Sequence, residues 1–120
     1  MILNALGVVL CLLAAPAAHA DEVAQGKVAV LRALDRISGR LSDLFVPVGD
    51  SVNVGPLAVT VAQCRYPVDN PSGDAYAYLV IDDMQSRSKL FEGWMVASAP
   101  GLNPFDHMRY DVWVLRCTNS

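Results

Sequence analysis

The sequence predicts an all-β protein: a small antiparallel β-sandwich or barrel of six to seven strands with one long loop, following a cleaved signal peptide. Three observations lead there. Beyond residue 27, apolar residues recur with a period of two in stretch after stretch, not with the 3.6 of a helix. Clusters of Gly, Pro, Asp, Asn and Ser separate those stretches. And the chain begins with an uncharged apolar segment that ends in a small-x-small step.

That segment is residues 1–20, MILNALGVVLCLLAAPAAHA. It is almost entirely apolar from Ile2 to Ala15, turns at Pro16, and closes on Ala18-His19-Ala20 before Asp21, which places the cleavage site after Ala20. The apolar run is shorter than the ~20 residues a membrane-spanning helix needs, so no transmembrane anchor remains after cleavage. No Lys or Arg precedes it. Cys11 follows Val8-Val9-Leu10, and a lipoprotein signal wants a small residue where Leu10 stands. Cys11 is therefore read as lost with the signal.

The remainder, residues 21–120, is one domain. Its first segment reads two ways. Ala24, Val28, Leu31 and Leu34 would form a helical stripe, whereas Val28 to Leu34 would form a strand ending near Asp35. The strand is favoured, because Ser38-Gly39 then turns it into a second strand over 41–48, with Pro47 marking an edge. Val48 to Ser51 and Val54 to Pro56 are turn signals. Next, Leu57, Val59 and Val61 share one face, and Ala58, Thr60, Ala62 and Cys64 the other. After a turn over 67–74, Tyr76, Tyr78 and Val80 alternate with Ala75, Ala77, Leu79 and Ile81. Asp82 to Ser88 forms another turn. Leu90, Trp94 and Val96 then oppose Phe91 and Met95, and Trp113, Leu115 and Cys117 oppose Val112 and Val114.

Two cysteines survive cleavage, Cys64 and Cys117. In an exported chain such a pair reads as a disulfide. Closing a loop of about 54 residues contributes roughly 4 kcal/mol on the chain-entropy account. A zinc site is short of donors, with no C-x-x-C and His107 as the one mature imidazole. The sequence indicates no metal and no cofactor. All 9 basic and 12 acidic residues fall in the mature part, for a formal charge of −3. Nothing there suggests nucleic acid, which favours a concentrated basic face.

Catalytic patterns are thin. There is no G-x-S-x-G, and Ala97-Ser98-Ala99 lacks the glycines of a nucleophile elbow. A hydrolase-type enzyme would have to use His107 as base with Asp106 or Asp111, and no nucleophile stands out. Asp82 and Asp83 point to opposite faces of a strand and read as the start of a turn. The Asp69–Asp74 run lacks the spacing of a calcium loop. Between the last two strands, however, runs a loop of about 13 residues, long for a compact domain. Its tips Leu102, Phe105 and Met108 would form a docking patch if exposed. Trp94 and Trp113, on the strands either side, read as core beside the disulfide or as the floor of a cleft beneath the loop.

Several blocks resemble one known family. Leu34-Asp35-Arg36-Ile37-Ser38-Gly39-Arg40, Val46-Pro47-Val48-Gly49, and Gly55-x-Leu57 leading to Cys64-Arg65 carry the resemblance. So do Gly93-Trp94-Met95-x-Ala97-Ser98-x-Pro100 and Tyr110-Asp111-Val112-Trp113-Val114-Leu115-x-Cys117. The chain is similar to the exported alphaproteobacterial family labelled domain of unknown function 2155, over nearly the whole mature part. The resemblance implies a periplasmic protein containing both cysteines, and no assigned activity. Members often carry His-Pro before the Tyr-Asp-Val-Trp block, where this chain has His107-Met108. Members also often lie, in gene order, near components of outer-membrane lipid-asymmetry transport and an accessory respiratory-complex subunit. The resemblance thus implies a cell-envelope protein or a lipid-transport assembly as partner.

Taken together, the residues describe a periplasmic, non-enzymatic β-domain acting as an envelope interaction or accessory module. Cys64–Cys117 closes it. Its binding residues are sought among Trp94, Leu102, Phe105, His107, Arg109, Tyr110 and Trp113, with Gly93 to Cys117 folding as a hairpin that presents the loop. The alternative is a binder of a small apolar ligand or lipid, using an aromatic cavity between the sheets. Expressed with its leader in a bacterium and recovered from the periplasm, the protein should begin at Asp21 by N-terminal sequencing; a product still beginning at Met1 would contradict the cleaved signal.

Overall fold

The computed structural model describes residues 7–12 and 22–120. Residues 7–12 are irregular and exposed. The signal peptide expected over residues 1–20 and the cleavage expected after Ala20 otherwise lie outside the described residues. From Val23 onward the chain is all β, with eight strands: β1 (Val23–Gln25), β2 (Val28–Asp35), β3 (Arg40–Pro47), β4 (Ser51–Val54), β5 (Leu57–Pro67), β6 (Tyr76–Asp83), β7 (Ser88–Val96) and β8 (Tyr110–Thr118). The count exceeds six or seven because β1 and β4 are too short to show a period. No helix among the described residues is long and apolar enough to cross a membrane.

The strands form two antiparallel sheets. β3, β2 and β8 lie in that order in the smaller sheet. The larger runs β1-β5-β6-β7, with β4 also pairing β5. β3 is an edge, as Pro47 requires. Asp35 organises the β2–β3 turn by accepting the N–H groups of Ile37 (3.0 Å) and Ser38 (3.4 Å), and Gly39 adopts a φ of +74° that a side chain would disfavour. β4 and β1 flank opposite ends of β5, pairing with Leu57–Thr60 and Arg65–Pro67. Backbone bonds fill the interval. Gly49 N–H donates to Val61 O (2.7 Å), Val61 N–H to Asp50 O (3.1 Å) and Gly26 N–H to Cys64 O (2.7 Å). Few polar groups of β5 are thus left to compete with its burial.

The core lies between the sheets, built on Leu31, Val46, Leu57, Val59, Val61, Leu79, Ile81, Val112 and Val114, all at most 1% exposed. Both cysteines join it, and here strict alternation fails. The β5–β6 register slips between Val61 and Gln63, so Ala62 is an extra residue, and Cys64 faces inward with Val61 instead of outward with Ala58 and Thr60. The β2–β8 register slips between Val30 and Leu31, opposite Arg116 and Val114. Leu115 is the extra residue there, and Cys117 turns to the face of Val112 and Val114. The two residues then meet as the disulfide Cys64–Cys117, with Cα atoms 5.7 Å apart, inside the ordinary range.

Gly26 covers this bridge. A Cβ there would lie 2.8 Å from the Cβ of Cys117, an atom fixed by the disulfide. Gly26→Ala should therefore lower the unfolding free energy in urea by about 1–3 kcal/mol, the usual cost of overpacking. Gly101→Ala, whose Cβ would meet nothing within 4 Å, is the control and should change it by less than about 0.5 kcal/mol. Equal stability for the two variants would contradict the packing described.

Candidate functional site

β7 and β8 do not pair. They belong to different sheets, so the segment 97–109 crosses from one sheet to the other, and the expected hairpin over Gly93 to Cys117 is replaced by this crossover. The crossing is tied down along its length. At its start, Ala97 N–H donates to Ala75 O (2.9 Å), and Asp74 accepts the N–H (3.0 Å) and hydroxyl (2.7 Å) of Ser98 as well as the N–H of Ala75 (2.8 Å). Burial opposes charge on Asp74, but the bonds from Ser98, Ala75 and Tyr76 prevail and keep its carboxyl below the usual range. Further on, the Asn103 amide donates to Trp94 O (3.1 Å). Gly93 leaves room for it, because a Cβ at 93 would lie 2.8 Å from that nitrogen.

Phe105 is not a surface tip. It is 2% exposed, packed edge-on against Phe91 with ring centroids 6.2 Å apart. Of the three residues expected to make a docking patch, only Leu102 (74%) and Met108 (95%) are exposed. His107 stacks on Phe105 (5.6 Å) and leans on Tyr110 (5.5 Å). Its Nδ1 accepts the N–H groups of Arg109 (3.0 Å) and Tyr110 (3.1 Å), which commits that lone pair to the loop backbone and puts the neutral ring's proton on Nε2. Asp111 bonds Arg36 at 3.5 Å rather than His107, and Asp106 is exposed. His107 is thus a loop anchor, and neither aspartate orients it as a triad would.

Arg109 closes the loop. Its Nε and Nη2 reach Asp35 Oδ1 (3.2 Å) and Oδ2 (3.0 Å), while its guanidinium lies over Tyr110, 5.2 Å from the ring centroid. Tyr110 itself is buried beneath Gly55, whose missing side chain and φ of +55° make way for the phenol. Beside this latch, between the sheet ends, is a recess of about 250 Å³ lined in part by Asp35, Arg40, Ser42, Asn53 and Tyr110. Ala33, Leu44 and Val54 complete its wall, and Tyr110 is its one aromatic residue.

Both tryptophans face outward. Trp94 alternates with buried Met95 on β7 and lies on the outer face of the larger sheet, 36% exposed, with Tyr78 edge-on at 5.3 Å and Arg65 over its ring at 5.2 Å. Trp113 alternates with Val112 and Val114 on β8 and occupies the outer face of the smaller sheet, across from Arg32. Neither lies beside the disulfide in the core, and they share no cleft. On the same outer face Phe45 is 62% exposed, with Arg116 over it at 6.0 Å. Phe45 was not among the residues singled out from sequence; its place opposite Val30 in an edge strand is the signal. A recess of about 340 Å³ beside Trp113 is walled by Pro100, Gly101 and Pro104 of the crossing loop.

Two other sequence features settle as turns. Asp83 accepts the N–H groups of Gln85 (2.8 Å) and Ser86 (3.2 Å), and Gly73 N–H returns to Asn70 O (2.9 Å). Among the described residues no three His, Cys, Asp or Glu side chains converge as metal ligands.

The Asp35–Arg109 latch sets a pH dependence. Arg109, followed by the N–H groups of Ile37 and Ser38 against the opposing burial, brings Asp35 from 3.8 to about 2. A lowered carboxylate pKa adds stability fully present above about 4 and lost as pH falls through about 2. Protection of the Arg109 and Tyr110 amides, taken relative to the intrinsic exchange rate at each pH, should fall across that window in the wild type, and Asp35→Asn should show the lower protection already at neutral pH. Equal protection in the two proteins at neutral pH would contradict the latch.

Comparison with known proteins adds the chain's relationships. No solved structure matches it. An uncharacterized protein of Rickettsia prowazekii (strain Madrid E) is 25% identical over 88 residues, covering 71% of this chain and 57% of that protein's length. This chain therefore matches little more than half of that relative. A family described as "Uncharacterized protein conserved in bacteria (DUF2155)" matches residues 29–117, from the second residue of β2 to the second cysteine. The matched residues hold every strand but β1, together with the disulfide and the crossing loop, and the chain belongs to that family.

Proposed function

We propose that this protein is an exported, non-enzymatic module of the bacterial cell envelope, working in the periplasm and binding another envelope component. The apolar leader and the Cys64–Cys117 bridge support export, since such bridges persist in oxidising compartments. One observation carries the binding: the outer face of the smaller sheet displays Trp113 and Phe45 beside Arg32 and Arg116. Small sandwiches ordinarily put large rings inside, and Trp, Tyr and Arg are the side chains that dominate protein interfaces. On this face Arg32 is held by Asp43 (2.7 Å), while Arg116, over Phe45, is in none of the four ion pairs among the described residues.

The crossing loop extends this face. With Phe105 and His107 holding it from beneath, Leu102 projects at the loop's tip and Pro100 and Pro104 stand against Trp113. A rigid loop loses little entropy on binding, so its anchoring suits recognition better than mobility would. The partner is accordingly a protein surface with apolar and acidic groups, and a lipid-transport assembly is one envelope setting for it.

Photoreactive residues placed at Phe45, Leu102 and Met84 test this in living cells. Met84 is as exposed as Phe45 but lies at the β6–β7 turn. A discrete adduct from Phe45 or Leu102, absent from Met84, is expected. No adduct, or the same adducts from all three, would overturn the proposal.

A further inference from the structure

The outer face of the larger sheet carries a second site of different character. Arg65 of β5 lies half-buried there, between Gln25 of β1 and Tyr76 of β6, with Gln63 and Tyr78 in the next row. Its guanidinium reaches across to cover Trp94, 5.2 Å from the ring centroid, and its Nη2 donates to the Gln63 side chain. The four ion pairs among the described residues engage Arg32, Arg36, Lys89 and Arg109, and Arg65 is in none of them. Its Nε is sealed in the stack without a hydrogen-bond partner. The guanidinium is thus half-removed from water and in none of these ion pairs, and an anion that reached its outer nitrogens would supply the charge partner it lacks. Next to it opens a recess of about 300 Å³ lined by Val23, Arg65, Tyr76 and Trp94.

We infer that this recess binds an acidic saccharide, with a pyranose ring lying on Trp94 and its carboxylate on Arg65. The charge demand selects an anion. The floor selects its body: Val23 and the rings of Tyr76 and Trp94 offer flat apolar area, and the amides of Gln25 and Gln63 stand beside Arg65 for hydroxyl groups. β5 and β6 are paired on both sides at this level, so their face has no backbone groups free for an extended peptide, which docks along sheet edges instead. An acyl chain needs enclosure, and this recess is an open shelf over a filled core. A pyranose needs only a ring face for its C–H groups and polar groups at its rim. The site is on the sheet opposite the face carrying Trp113, and it stands whether or not that face binds a protein.

The two tryptophans make the test internal. In 15N-labelled protein the Trp94 indole N–H reports on this recess and the Trp113 indole N–H on the other face. Titration with the disaccharide of N-acetylglucosamine and N-acetylmuramic acid should move the Trp94 signal and leave Trp113 in place. The neutral N,N′-diacetylchitobiose should bind at least tenfold more weakly. Arg65→Met, which keeps the packing but not the charge, should lose at least tenfold in affinity with the Trp113 signal unmoved. Should that variant not fold, the acidic-to-neutral comparison on the wild type decides. Equal binding of the two sugars, no shift at Trp94, or a shift produced by anionic phospholipid vesicles or an acidic peptide but not by the disaccharide would overturn the inference.

Discussion

The architecture depends on bringing two cysteines, one from each sheet, to the same interior point. A strand has two faces, and each additional residue in it exchanges them. Cys64 and Cys117 both start on the wrong parity: regular strands would send Cys64 outward with Ala58 and Thr60, and Cys117 outward with Trp113. The extra residues Ala62 and Leu115 reverse both. Each bulge leaves the residues before it where they were, so Val61 and Val114 still face the core while the cysteines beyond the bulges join them. Because β5 is the larger sheet's longest strand and β8 the smaller sheet's edge, the bond ties the sheets at that edge. Gly26 fits over it for want of a side chain.

At the other end of β8 the same problem is solved without covalent chemistry. The chain must leave β7 in one sheet and enter β8 in the other, and the crossing segment is held by side chains reading backbone groups: Asp74 on Ser98, Asn103 on Trp94, His107 on Arg109 and Tyr110. The Asp35–Arg109 pair then joins the end of the crossing to the β2–β3 turn. His107, which with Asp106 and Asp111 suggests catalysis in a list, is engaged in this task through Nδ1. On the outside, alternation has put Trp113 and Phe45 on one sheet and Trp94 and Arg65 on the other, the two faces proposed to bind. A domain secured in this way presents its outer faces with little freedom to lose on binding.

How much of this was legible in the residues follows from the same physics. Period-two patterns located β5, β6, β7 and β8, because each is long enough to alternate, whereas β2 read as helix or strand until the Ser38-Gly39 turn favoured the strand and placed β3 after it. β1 and β4 are three and four residues long and have no readable period. The cysteine pair was legible from composition and export, but its route was not, since a bulge is an event between strands and leaves no mark within either one. By size Trp94 and Trp113 read as core or as the floor of a cleft, but they alternate with Met95 and with Val112 and Val114, which are buried, and so lie outward; the pattern outweighed the preference. Phe105 read as a loop tip that would join a docking patch if exposed, because its neighbours are turn-forming and polar. Whether one ring in such a loop turns inward depends on what lies beneath it, here Phe91, and that is a tertiary fact.

The most direct test of the account is a peptide map of the oxidised protein digested with trypsin without reductant. Cys64 then lies in residues 41–65 and Cys117 in residues 117–120, fragments with no covalent link except the bridge. The account predicts one joined species of these two fragments, which separates on reduction. Two alkylatable free thiols in the folded protein would contradict it, because the bulges would then serve no joining of the sheets.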